Sequence, residues 1–321
     1  MSTLPTYDVV VVGGGVAGLS AATWLGRYRR RTLLVDSGDY RNARVESSHG
    51  YLGRDGVSPA ELLDDARRDL GRYDLVERRG GKVRAITGSK GEFVVDVDGE
   101  EVAAHRVVLA TGVGDAFPDI EGFFDHYGAS AFHCPTCDGF EACGRNVVVV
   151  GWSAAVSGFA LRLLDWAKSV TVLTDGHRFE GDDVCLAAMD RHGLELVEDV
   201  AVTLEGARGD LRAVVLRSGW RLPVELLFFT IAHIQHTELA EQLGCRIDDD
   251  GHVEVDDSCE TSVPGVYAAG DLTPGMQLLQ VGAAKGTIAG VSAAMSLQGE
   301  EGSPVSPTPA PDPEQELQAP G

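Results

Sequence analysis

The sequence predicts an α/β fold: two dinucleotide-binding (Rossmann-like) domains, three-layer in section, with small antiparallel β meanders. Three observations carry this. A β-branched run at 7–12 opens directly into Gly13-Gly14-Gly15-Val16-Ala17-Gly18. The same opening returns at Arg145-Asn146-Val147-Val148-Val149-Val150-Gly151, which marks an internal repeat. At 321 residues the chain also exceeds what one hydrophobic core usually organises.

Residues 7–12 are too short and too apolar for a helix, which argues a buried parallel strand. Gly13, Gly15 and Gly18 give G-x-G-x-x-G spacing: a tight turn, close backbone approach to a pyrophosphate, and close packing of helix on sheet. A helix is expected over 19–30 and a second strand over 32–35, ending in Asp36, where a carboxylate accepts hydrogen bonds from an adenosine ribose. Ser58 and Pro59 are placed to cap and open a helix over 60–72. Strands at 83–86, 92–97 and 101–104 read as a meander split by Gly91 and Gly99, and 106–112 as a further buried strand and turn.

In the second unit the glycine fingerprint is damaged, reading Gly151-Trp152-Ser153-Ala154-Ala155-Val156, although a helix running through Trp166 and a strand at 170–173 are kept. Alternating short strands and helices are expected from 180 to 244. The chain then returns to the first domain, with an Ala/Gly-rich helix over 282–297. The expected division is 1–116 and 247–298 for the first domain, 117–246 for the middle one, and 299–321 for a Pro-rich tail too poor in apolar residues to order itself.

Acidic residues outnumber basic ones 49 to 27, a net charge of −22, which argues against nucleic acid or an anionic membrane as partner. No apolar run approaches a membrane span, and the first residues carry no basic n-region, so cytoplasm is the expected compartment. Six cysteines are too few for a disulfide framework in a chain of this length. Two of them, in Phe132-His133-Cys134-Pro135-Thr136-Cys137-Asp138-Gly139-Phe140, make a compact dithiol followed at once by an acid. That pair could also be half of a zinc site, but structural zinc wants four ligands, and no metal is expected. His233-x-x-His236 resembles a ligand pair but is expected on the turn that ends a strand. Cys143, Cys185, Cys245 and Cys259 read as small buried side chains, with Cys143 near enough in sequence to be a third redox thiol.

Cys134-Pro135-Thr136-Cys137-Asp138-Gly139 inside a second nucleotide-binding unit, with Thr261-Ser262-Val263-Pro264-Gly265-Val266-Tyr267-Ala268-Ala269-Gly270-Asp271 near the end, resembles the low-molecular-weight thioredoxin reductases over residues 7–297. The resemblance implies a homodimer with FAD in the domain built from both ends of the chain. It also implies thiol/disulfide exchange at Cys134 and Cys137, with Cys137 facing the flavin, Cys134 meeting the partner's sulfur, and Asp138 giving and taking the proton. The positions it assigns to FAD are Gly13, Gly15, Val16, Ala17, Asp36, Asn42, His49, Val83, Ala110, Thr111, Gly112, Gly270, Asp271, Gln280 and Val281. His49 could line the flavin or cap a loop.

Departures from the family pattern set the rest. The basic cluster that grips the 2′-phosphate of NADPH is replaced by Thr174-Asp175-Gly176-His177-Arg178-Phe179-Glu180, and an aspartate there repels a 2′-phosphate. Trp152 and Ser153 crowd the phosphate turn, Trp152 stacking on a flavin or filling the vacated pocket. The usual Arg-Gln-Ala is also missing, replaced by Leu278-Leu279-Gln280. The expectation is an FAD-dependent exchanger of electrons with a thioredoxin-like protein or small dithiol, not using NADPH in the usual way. Ferredoxin or oxygen would then be the other redox partner. Three alternatives stand beside it: a dithiol oxidase passing electrons to oxygen, an NADH-dependent enzyme using Asp175 for the ribose, and a non-catalytic FAD-binding redox sensor.

Overall fold

The computed structural model describes residues 4–299; the tail expected at 299–321 lies, apart from Gly299, outside them. The chain opens with β1 (Thr6–Val12), α1 (Val16–Arg27), β2 (Thr32–Asp36), α2 (Pro59–Leu70) and β3 (Val76–Gly80). It continues through β4 (Val83–Thr87), β5 (Phe93–Val97), β6 (Glu100–Leu109) and β7 (Val113–Asp115). The middle of the chain gives α3 (Phe123–His126), β8 (Ala131–Phe132), α4 (Pro135–Asp138), β9 (Asn146–Val150), α5 (Ala155–Leu163), β10 (Ser169–Leu173), α6 (Asp183–Arg191) and β11 (Glu195–Val197). After these come β12 (Ala201–Ala207), β13 (Asp210–Leu216), β14 (Arg221–Pro223), β15 (Leu226–Phe229), β16 (His233–Gln235), α7 (Glu238–Gln242), β17 (Val266–Ala268) and α8 (Leu279–Met295).

Two parallel-centred sheets result. The first runs β3-β2-β1-β6-β5-β4 with β17 paired to β6, so the end of the chain completes the sheet begun by its start. The second runs β11-β10-β9-β15-β8. The strands β1 and β9 are buried on both faces, as continuous Val runs require in a sheet covered by helices. Between the sheets, β7 and β16 pair antiparallel, His233 opposite Asp115.

Several expectations need correction. The helix expected over 19–30 starts at Val16, because Gly15 is itself the N-cap, and it ends before Arg29, whose φ of 57° leaves helical space. The helix expected at 282–297 likewise begins and ends earlier, at 279 and 295. The strands expected at 101–104 and 106–112 are one strand, β6, whose first half pairs with β5 and whose second half joins β1 and β17. The meander is therefore an extension of the main sheet. Helix and strand do not alternate through 180–244. After α6 the chain makes β11 to β16 without a helix, β12-β13-β14 forming a separate antiparallel sheet whose first hairpin turns at Gly209, φ 77°. The α2 start matches its expected chemistry: Ser58 accepts from the Glu61 N–H at 3.2 Å, and Pro59 is the first helical residue.

Candidate active site

Four residues carry Cys134 to Cys137 from the end of β8 into α4, and the two sulfurs are joined as a disulfide. Cys134 is the N-cap, its Sγ accepting from the Cys137 N–H at 3.1 Å. Such an N–H stabilises negative charge on the sulfur it meets. Asp138 ends the turn and is buried, 7% exposed. Burial first, and the neighbouring Glu141 carboxylate second, push its pKa up from the usual carboxylate range to about 7. It borders a small cavity with His49 and Glu141, whose His49 Nε2 and Glu141 Oε1 lie 3.4 Å apart. His49 Nδ1 is 3.8 Å from Asp55.

The first domain carries the glycine turn expected to hold a pyrophosphate. A methyl group on Gly13, φ 110°, would strike the Ala110 carbonyl, and one on Gly18 would strike the Gly13 carbonyl, so these two glycines are fixed by packing. Gly15 is different: a methyl there meets nothing within 4 Å. The first turn of α1 therefore presents its free N–H groups to open space, uncapped by any side chain, as an anionic phosphate requires. Asp36 lies against Gly14, accepting from the Gly38 N–H at 2.9 Å and from the Tyr40 hydroxyl at 2.5 Å. Burial, together with the Asp36 hydrogen bond, pushes the Tyr40 hydroxyl up to about 12. These residues fit the ADP half of a dinucleotide.

The other expected FAD positions fall around the same sheet ends. The Ala110 N–H donates to the Val12 carbonyl at 2.8 Å, the Thr111 hydroxyl donates to the His236 carbonyl at 2.8 Å, and Gly112 has φ 65°. Gly270, φ 82°, packs on Ala17 and leads into Asp271, and Val16 lies against Gly282 of α8. Gln280 and Val281 stand in the first turn of α8, Gln280 donating to the Gly50 carbonyl. Val83 is turned into the core below the first sheet, and the Asn42 carbonyl accepts from the Val45 N–H at 3.1 Å.

Sequence reasoning missed the residue that ties these pieces together. Arg41 forks onto Asp115 with Nε at 2.7 Å and Nη2 at 2.6 Å, while Nη1 reaches Gln277 at 2.8 Å and Asp271 at 3.2 Å. His233 Nδ1 is 3.1 Å from Asp115. Burial would raise the Asp115 carboxyl, but hydrogen bonds from His233 and Arg41 outweigh it and hold it well below the usual range. Burial raises Asp271, an effect the Arg41 charge partly offsets. Burial also pulls His133, 4.0 Å from Asp115, down to about 4, so it is neutral at physiological pH. No local motif announces contacts spanning 74 and 230 residues.

Other expectations resolve as follows. His233 lies at the start of β16 and not on a terminal turn, because that stretch pairs with β7; His236 Nδ1 faces the Thr111 carbonyl at 3.1 Å. Cys245 and Cys259 are buried, but Cys143 is exposed at the end of a 3-10 turn, and Cys185 is half-buried on the face of α6 that carries the buried Met189, packed against the core. In the damaged fingerprint Trp152 stacks on His177, ring centroids 3.7 Å apart and planes at 15°. The Trp152 carbonyl accepts from the Glu180 N–H at 2.8 Å, and the Asp175 carboxylate accepts from the Ala201 N–H at 2.9 Å.

Two doubly wound sheets, a glycine cradle in the first, and a Cys-x-x-Cys disulfide with an adjoining buried acid define a two-domain flavin-dependent disulfide oxidoreductase. The family model for pyridine nucleotide-disulphide oxidoreductases matches residues 7–286, and the chain belongs to that family. It is 30% identical over 291 residues to the thioredoxin reductase sirT of Leptosphaeria maculans, covering 84% of this chain and 88% of that one. It is 31% identical over 287 residues to the thioredoxin reductase tcpT of Claviceps purpurea, with the same coverages, 84% and 88%. The crystal structure of an oxidoreductase from Agrobacterium tumefaciens superposes with a TM-score of 0.82 at 33% identity, covering 91% of this chain and 98% of that one. The protein is a thioredoxin reductase-like flavoprotein whose cofactor is FAD. Among the described residues no helix is long and apolar enough to cross a membrane.

Proposed function

We propose that the protein exchanges electron pairs between FAD and a dithiol or disulfide partner at Cys134 and Cys137, and that its second dinucleotide fold does not take NADPH in the usual mode. The observation that carries the second half is the stack on His177 of Trp152, which stands in the turn between β9 and α5 where a pyrophosphate would sit. Asp175, the acid that an NADH-dependent reading would assign to the ribose, is engaged with the Ala201 N–H. That favours neither nucleotide.

FAD, when bound, would supply a two-electron carrier. The chain's own residues do the rest. The Cys134 sulfur, stabilised as a thiolate by the Cys137 N–H, meets the partner's sulfur. Asp138, with a pKa near 7, can hold a proton at neutral pH and deliver it to a departing sulfur. A passive redox sensor would have no use for a buried acid so tuned. The residues assigned to FAD are those of the cradle, with Asp271 and the first turn of α8 at the far end. The reading includes a homodimer in the cytoplasm.

A second reading, in which a small dithiol is the donor and oxygen the acceptor, is favoured by a cavity of ≈ 310 Å³ that Cys134 borders. Its volume suits a small ligand. An acidic ferredoxin is a poorer partner for a chain of net charge −22.

The test of nucleotide loss is titration calorimetry of the FAD-loaded protein with NADPH and with NADH. The reading predicts no saturable heat below about 1 mM, a binding free energy weaker than about −4 kcal/mol. A micromolar dissociation constant for either nucleotide overturns it.

A further inference from the structure

The cavity beside Cys134 has a distinct chemistry. Pro135, Phe159, Phe229 and Ile231 give it apolar walls, and none of the positions assigned to FAD lines it. Cys134 borders it and Cys137 does not, so the sulfur that would meet a substrate is the one that faces the space.

Of the basic groups around it, most are already committed. Arg41 is spent on Asp115, Asp271 and Gln277. His233 is held by Asp115, and His133 is kept neutral by burial. Arg162, on α5, is different. It is exposed where it borders the cavity, its guanidinium carbon lies 6.0 Å from the centre of the Phe159 ring, and it makes no ion pair with an acid among the described residues. A guanidinium beside aromatic walls and across a small space from a reactive sulfur is suited to a ligand with a carboxylate at one end and thiols at the other.

We propose that this cavity is the substrate subsite for a small dithiol bearing a carboxylate, which Arg162 binds while the thiols meet Cys134. The proposal rests on the reading that Cys134 and Cys137 exchange with a dithiol. In the exchange one substrate thiolate attacks the Cys134 sulfur, a substrate–Cys134 bond forms, and Cys137 leaves as a thiolate. The second substrate thiolate then attacks its own partner sulfur in that mixed disulfide, and Cys134 leaves. The substrate is oxidised to a cyclic disulfide, the Cys pair is reduced by two electrons, and the two substrate protons pass to the cysteines and solvent.

The test compares dihydrolipoate with dihydrolipoamide, which carry the same two thiols and differ in the carboxylate, as anaerobic reductants of the FAD-loaded full-length protein. The concentration giving half-maximal rate of flavin reduction should be about tenfold lower for dihydrolipoate, the scale of one charge-assisted contact. This preference would run against the net charge of −22, whose field repels an anion, so its cause would be local. In Arg162→Gln the ratio between the two reductants should fall to about one. Equal values for both in the native protein, or an unchanged ratio in Arg162→Gln, overturns the subsite and leaves the exchange reading standing. Reduction by neither probe while reduced thioredoxin reduces the flavin overturns the subsite too. Reduction by no dithiol or thioredoxin overturns both.

Discussion

Asp138 behaves as it does because α4 buries it with a second carboxylate, Glu141, for a neighbour. Its folded pKa, about 7, lies above the ordinary 3.8, so the fold favours its neutral form. The stability that this contributes is complete below the ordinary pKa and is lost as pH rises to about 7. Asp138→Asn should therefore raise the melting temperature at pH 8, where the native carboxylate is charged, and leave it nearly unchanged at pH 4; thermal denaturation at the two pH values checks this. The same substitution should slow dithiol-driven flavin reduction by roughly 10²–10⁴-fold and abolish its fall above pH 7, as removal of a proton donor does. A rate within twofold of native at pH 7 would take Asp138 out of the proton path. Arg41 makes the opposite kind of prediction. Arg41→Ala leaves Asp115 buried without its forked partner, which costs about 3–5 kcal/mol and should appear as a lower midpoint in urea.

The elements show why some of this was legible in the sequence and some was not. Strand, glycines, helix, strand and acid are local signals, so 7–36 could be read closely, and Ser58-Pro59 announced α2 because a cap and its helix are neighbours. The cysteine motif was legible for the same reason. The β6 strand was not: its two halves face different partners, β5 on one stretch and β1 and β17 on the other, and a change of partner reads like a break. Arg41, Asp115 and Asp271 come together only in three dimensions; the motif ending in Gly270-Asp271 marks Asp271, but nothing in the neighbourhoods of Arg41 and Asp115 distinguishes them. The glycine roles in the first domain also separate only once the contacts are known. Gly15→Ala should leave the stability of the FAD-free protein unchanged while weakening FAD retention, since its methyl meets no protein atom and points to open space. Gly286→Ala should act on the protein itself, because its methyl would strike the Ala17 backbone where α8 crosses α1. About 1–3 kcal/mol of overpacking is expected there, read as a lower melting temperature with or without FAD. Loss of stability in Gly15→Ala equal to that in Gly286→Ala would contradict the division.

Across the whole molecule, the first sheet is closed by β17 from the far end of the chain, and the second carries the cysteines between the two halves of the first. Arg41 reaches from the first domain to Asp115 on β7, which pairs with β16, so one guanidinium braces both halves of the FAD-side sheet against the connecting strands. The second domain keeps the strand order of a dinucleotide fold, while Trp152, in the turn after β9, stacks on His177. Electron entry would then shift from nucleotide to thiol. Anaerobic stopped-flow absorbance of the FAD-loaded protein, mixed separately with NADPH, NADH and a reduced dithiol, measures this directly. The flavin should be bleached by the dithiol, lose that response in Cys134→Ser, and remain oxidised with either nucleotide. Fast bleaching by NADPH would mean that the second fold still binds its nucleotide and that this is a conventional thioredoxin reductase.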